Sequence, residues 1–247
     1  MAATTRLSLF IALGALLLTG GASAEKRCDL KPGAFIYAIG SSTLGSPLGE
    51  LLDKSLKKRG FQFRKWAKAS SGLARPDYFD WPPKVPEIIR EWKPDAWIVN
   101  LGTNDFQAIF VNKRKWIKPE DDEAGWKAEY ARRVDEVLEL TAGKDKQKLV
   151  IWVGPSPFPD AKAKWLSQII NGVIKSRIKA FGGNVFYIDS TDPLIDKAGE
   201  VIRQYRGADG KMKPVFRRDN IHMTVEAVRD LMAEPAGDIL LGCAKGE

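Results

Sequence analysis

The chain contains a single histidine, His222, and an aspartate, Asp219, stands three residues before it. On one turn, such a carboxylate can accept a hydrogen bond from one imidazole nitrogen and leave the other free to take a proton. The matching nucleophile must be a hydroxyl or a thiol within hydrogen-bond reach. Ser42 is the candidate, because it follows an apolar run, Phe35 to Ile39, through Gly40-Ser41. A glycine at a strand end permits a tight turn and presents the next residues at the sheet edge. Acyl transfer also needs donors aimed at a tetrahedral oxyanion. The Ser42 backbone N–H, the Gly72 backbone N–H and the Asn104 side-chain amide are the candidate donors. Each residue has a simpler explanation in isolation. Ser42 could be a turn residue, Gly72 a loop glycine, Asn104-Asp105 a turn or helix cap, and His222 a structural histidine. The chemistry requires that the fold bring four distant segments together.

Periodicity indicates how it could do so. Phe35–Ile39, Phe61–Ala69, Asp95–Leu101, Leu149–Val153 and Val185–Ile188 read as strands, most of them apolar runs. Leu48, Leu51, Leu52 and Leu56 recur at helical spacing and predict a helix over 47–59, closed by Gly60. Further helices are expected over Lys84–Trp92, from Trp126 to Gly143, and from Trp165 to Phe181. Residues 70–83 carry loop chemistry with aromatics in it. Their aromatics, Tyr78, Phe79 and Trp81, would either stack on sugar rings or pack the loop onto the sheet. Residues 106–124 show no clean period and read as an insertion over the sheet edge. Residues 189–214 read as irregular, with a helical option over Asp196–Arg203. Thr224 opens a last helix, broken near Pro235. Alternation of strand and helix predicts an α/β fold, a three-layer α/β/α sandwich on a parallel sheet of about five strands. The turns after the first and third strands and the loop after the second then share one edge.

At 247 residues, with 44% hydrophobic and 28% charged residues, the chain is long enough for one α/β domain with a large core. Arg6, an apolar run from Leu7 to Leu18 and the small residues ending Ala22-Ser23-Ala24 read as a Sec-type secretory signal over residues 1–24. The domain proper is then 25–247, periplasmic or secreted, with no stable membrane insertion once the signal is cleaved; an uncleaved anchor is the alternative. The net charge of +8 comes from scattered Lys and Arg, and export argues against nucleic acid as a partner. Cys28 and Cys243 lie near the two ends of that domain. Chain ends often meet and an exported compartment permits disulfides, so a Cys28–Cys243 bridge is expected, with two free thiols as the alternative. No metal-ligand spacing and no nucleotide loop is present, so no metal or cofactor is expected.

Taken in order, the four blocks around Ser42, Gly72, Asn104 and His222 resemble those of the SGNH/GDSL hydrolase superfamily. Gly102-Thr103-Asn104-Asp105 is similar to its G-x-N-D block and Asp219-Asn220-Ile221-His222 to its D-x-x-H block. The stretch from Ser71 to Pro82 resembles the second block of an exported bacterial branch. The resemblance covers roughly residues 33–235 and implies the flavodoxin-like fold of that superfamily. It also implies Ser42 as nucleophile, Asp219 and His222 as its triad partners, and Ser42, Gly72 and Asn104 as the oxyanion hole. The first block departs from the usual Gly-Asp-Ser, reading Gly40-Ser41-Ser42. The implied function is an exported serine esterase cleaving acyl esters, and export, the net positive charge and the aromatics Tyr78, Phe79 and Trp81 suit O-acetyl groups on a cell-envelope polysaccharide or peptidoglycan, with a small ester as the other substrate. An O-acyltransferase using the same triad and a noncatalytic glycan-binding protein are the alternatives.

Overall fold

Five parallel strands, the central three almost wholly buried, decide the layering. The computed structural model describes residues 28–245. The predicted signal segment, 1–24, lies outside the described residues. Strands β1 (Phe35–Gly40), β2 (Gln62–Ala67), β3 (Ala96–Asn100), β6 (Leu149–Val153) and β7 (Val185–Ile188) form one parallel sheet in the order β2-β1-β3-β6-β7. Successive side chains of a strand point to opposite faces. On β1, Ile36 and Ala38 join one core, whereas Tyr37 and Ile39 join the other. On β3 the same split separates Ala96 and Ile98 from Trp97 and Val99.

Helix α1 (Gly49–Lys58) and the C-terminal helices cover the first face, and α2 (Trp81–Trp92), α3 (Glu123–Ala142) and α4 (Ala161–Phe181) cover the second. Helices α3 and α4 are capped by side chains at their starts. Asp122 accepts from Gly125 N, and Asp160 accepts from Ala163 N, which satisfies donors that a helix start leaves free. The result is the expected three-layer α/β/α sandwich. Among the described residues, no helix is long and apolar enough to cross a membrane.

Several boundaries differ from expectation. Helix α2 begins at Trp81 rather than Lys84, because the prolines that follow Trp81 occupy its first turn, where a missing N–H costs nothing. The aperiodic insertion contains a short antiparallel hairpin, β4 (Ile109–Asn112) with β5 (Lys115–Ile117). Residues 196–203 are not helical. The Asp196 carboxylate accepts from Ala198 N and Glu200 N, and Gly199 adopts φ +80°. That loop competes successfully with a helix. The segment instead supports a bridge from Ile195 to Val201 and a second hairpin, β8 (Gln204–Arg206) with β9 (Met212–Pro214).

Thr224 caps α5 (Val225–Val228) by accepting from Ala227 N. The predicted break near Pro235 is instead a wide π-type turn, Arg229–Ala233, followed by α6 (Glu234–Lys245). The wider turn carries the helix past a residue that has no N–H to donate. Cys243 of α6 is disulfide-bonded to Cys28 with Cα atoms 5.0 Å apart, as expected, and Leu30 N donates to Cys243 O at 3.3 Å.

Candidate active site

Parallel register aligns the carboxyl ends of three strands, with Gly40 opposite both Ala67 and Asn100. Gly40 is required by this close approach, because a Cβ there would lie 2.6 Å from Asn100 O. Ser41 N then donates to Asn100 O at 3.2 Å and Gly45 N to Ser41 O at 3.0 Å. Ser42 therefore stands at the start of a helical turn, half-buried. The turn continues through a π-type stretch, Leu44–Leu48, braced from β2 by Lys65 Nζ on the carbonyls of Leu44 and Gly45. Ser41 is fully buried, and its Oγ has no hydrogen-bond partner among the described residues.

The loop after β2 carries Gly72. Lys68 N donates to Gly40 O at 3.0 Å, tying the loop to the end of β1. Asp105, fully buried, then holds the loop from beneath. Its Oδ2 accepts from Leu73 N at 3.0 Å and its Oδ1 from Ala74 N at 2.7 Å, while Tyr130 OH donates to Oδ2 at 2.9 Å. Burial pushes the Asp105 carboxyl pKa up, against the pull of those donors. Arg133 adds donors to Leu73 O and Phe110 O. A Cβ on Gly72 would come within 2.1 Å of Asp105 Oδ1. Glycine is thus imposed by the carboxylate, and none of these bonds uses the Gly72 N–H.

The turn after β3 carries Asn104. Its Nδ2 donates to Ser71 O at 2.9 Å, which links it to the Gly72 loop. A primary amide has a second hydrogen, which remains for a ligand.

The last segment is an Asx-type turn with Asn220 at φ +56°. Asp219 Oδ1 accepts from Ile221 N and His222 N, each at 2.9 Å, and Oδ2 lies 2.9 Å from His222 Nδ1. The two backbone donors, then the imidazole, hold the Asp219 carboxyl well below the usual carboxylate range. With Nδ1–H on Asp219, Nε2 is left as the acceptor. Phe216 bridges Met223, and Arg217 N donates to His222 O at 2.8 Å, so the turn is closed by backbone bonds.

Ser42, Asn104 and His222 line one cavity of about 510 Å³ together with Phe106, Phe158 and Arg217, a volume typical of small-ligand sites. Phe106 and Phe158 pack edge to face with ring centroids 4.6 Å apart. Gly72 does not line this cavity; it borders a neighbouring recess of about 230 Å³ and reaches the site through the Ser71–Asn104 bond. A larger groove, about 640 Å³, runs between α3 and α4 and holds none of these residues. Of the three loop aromatics, Phe79 and Trp81 pack inward and Tyr78 stays half exposed. Phe79 stacks on Trp66 with centroids 4.9 Å apart, Trp81 is buried with Nε1 on Ser71 Oγ, and Tyr78 OH donates to Ala69 O. The cavity's aromatic wall comes from Phe106 and Phe158, which the sequence reading missed. Their positions just past the ends of β3 and β6 were the available signal.

Solved structures share this architecture. A carbohydrate esterase family 3 protein from Talaromyces cellulolyticus is 14% identical with a TM-score of 0.54, covering 87% of this chain and 99% of that one. A catalytic variant of Axe2, an acetylxylan esterase from Geobacillus stearothermophilus, is also 14% identical, with a TM-score of 0.53 and coverage of 86% and 96%. A protein from Bacteroides ovatus ATCC 8483 described as GDSL-like lipase is 15% identical with a TM-score of 0.52. The match covers 84% of this chain but 53% of that protein, so the chain spans about half its length. The fold is that of the SGNH/GDSL hydrolases. Within it, the chain belongs to the family described as protein of unknown function DUF459, whose pattern matches residues 35–236. No curated protein matches the chain.

Proposed function

We propose that the protein is an exported serine esterase that cleaves acyl esters, O-acetyl groups above all, on a cell-envelope polysaccharide or peptidoglycan. The observation that carries this reading is the shared cavity of Ser42, Asn104 and His222, with His222 Nδ1 fixed by Asp219. His222 Nε2 takes the Ser42 proton as Oγ attacks the ester carbonyl. The oxyanion is met by the Ser42 N–H and the Asn104 amide in the shared cavity, and the Gly72 N–H, in the adjoining recess, is assigned as the third donor; losing one such donor typically costs about 10²–10³ in rate. His222 returns the proton to the departing alcohol, and water then resolves the acyl-enzyme by the same route. Support for an acetylated carbohydrate comes from the fold's acetylxylan and carbohydrate esterases and from an aromatic cavity wall. The Cys28–Cys243 bridge supports an oxidising compartment.

The test is para-nitrophenyl acetate turnover by residues 25–247. Ser42→Ala and His222→Ala are each expected to lose about 10³-fold or more, and the double variant little beyond that, because such residues act as a unit. Wild-type turnover in either single variant would remove that residue from the mechanism. Acetyl appearing on an added glycan, in place of free acetate, would convert the reading to an acyltransferase.

A further inference from the structure

We propose that Arg217 makes this site selective for esters whose alcohol portion carries a negative charge, such as a carboxylate. The inference rests on the esterase reading and specifies its substrate. Arg217 lines the cavity that holds Ser42 and His222, and no Asp or Glu lines it. Among the described residues its guanidinium has no hydrogen bond, ion pair or aromatic partner, whereas nearby Arg203 donates to Asn220 Oδ1. The nearest acid in sequence, Asp219, is already committed to His222 Nδ1 and two backbone N–H groups. The cavity therefore presents a permanent cation with no internal counter-charge. A planar guanidinium binds a carboxylate through two parallel hydrogen bonds.

The position of Arg217 decides which half of the ester it meets. Its backbone N–H donates to the carbonyl of His222 at 2.8 Å, so it stands on the histidine side of the site. The oxyanion donors come from Ser42, Asn104 and the Gly72 loop on the other strand-end turns. His222 must face the leaving oxygen in order to protonate it. A side chain beside His222 thus reads the alcohol, and the acyl group lies away from it. The backbone bond holds position 217 whatever side chain it carries, so the guanidinium can be replaced without opening the turn.

The experiment compares two aryl acetates, 4-acetoxybenzoate and 4-acetoxybenzamide, each kcat/KM being divided by the ester's own hydroxide-catalysed rate. The readout is the anionic-to-neutral ratio. Arg217 is exposed at the cavity mouth, so in the wild type the ratio is expected at about two- to fivefold, as for a charge pair open to solvent. It should collapse towards unity in Arg217→Gln, hold partly in Arg217→Lys, and fall in the wild type as salt rises to about 0.5 M. The same ratio in wild type and Arg217→Gln, with both esters turned over, would overturn this proposal and leave the esterase reading intact. Turnover of neither ester by the wild type would overturn both.

Discussion

Ser41 occupies the position where the superfamily motif has aspartate, and its surroundings account for the difference. It is fully buried and its Oγ meets no partner among the described residues. A carboxylate introduced there would be a buried charge without a donor to its side chain. Ser41→Ala removes an unsatisfied hydroxyl and is expected to leave unfolding free energy within about 1 kcal/mol of the wild type. Ser41→Asp is expected to lose more than about 2 kcal/mol. Urea unfolding distinguishes them, and an equally stable Ser41→Asp would mean that the turn supplies a donor after all. Asp219 makes the opposite case, since its donors favour the charged form. A carboxyl whose folded pKa is depressed stabilises the fold above its unfolded pKa and loses that contribution as pH falls through the lowered value. The Tm margin of wild type over Asp219→Asn should therefore not shrink until pH drops below about 4. A margin already shrinking between about pH 7 and 5 would contradict the depression.

At the scale of elements, the Gly72 loop is held by a buried carboxylate from a different turn. Asp105→Asn keeps the shape but sets an amide donor against the N–H of Leu73 or Ala74. The loop must shift, and displacements of about 1 Å at a site can cost up to 10² in rate. Asp105→Asn is expected to lower kcat by about 10–100-fold, and adding Gly72→Ala should cost less than its separate effect, because both disturb one contact. Wild-type kcat in Asp105→Asn would show that the loop is positioned by its other bonds. This coupling explains what could be read from sequence. The central strands β1, β3 and β6 were legible because burial on both faces makes such strands near-continuous apolar runs, and edge strand β2 because Phe61 and Phe63 alternate with polar residues. Ser42, Asn104 and His222 were legible as a group because each follows a recognisable turn signal. The part played by Asp105 was not, since its value lies in accepting bonds from residues 73 and 74, which no local pattern records. Arg217 was hidden among scattered basic residues, and only the backbone pairing of 217 with 222 gives it a place. The helical option over 196–203 failed because Asp196 turned its side chain onto its own backbone. The hairpins β4–β5 and β8–β9 are too short to impose an alternation.

For the whole molecule, the Cys28–Cys243 bridge joins points 215 residues apart in sequence. Closing so long a loop restricts the unfolded chain strongly, and the chain-entropy view puts the effect near its upper range, about 5 kcal/mol, with about 2–4 typical of measured bridges. In a domain of this size each kcal/mol moves Tm by about 2–4 °C. Scanning calorimetry should therefore find Cys28→Ser/Cys243→Ser, or the reduced wild type, melting roughly 5–15 °C lower. Activity should respond differently. Helix α6 buries Ala236, Leu240 and Cys243 against the same core as Leu30 and Leu56, so its seat does not depend on the bridge alone. The turn that carries His222 is closed by its own bonds to Asp219, Phe216 and Arg217. Reduction should leave kcat at 25 °C nearly unchanged while the melting point falls. A Tm shift below about 2 °C would mean that the packing of α6 already confines the chain ends. A parallel loss of kcat would mean that the strain on α6 reaches back to His222 through the continuous helical run that begins at Thr224.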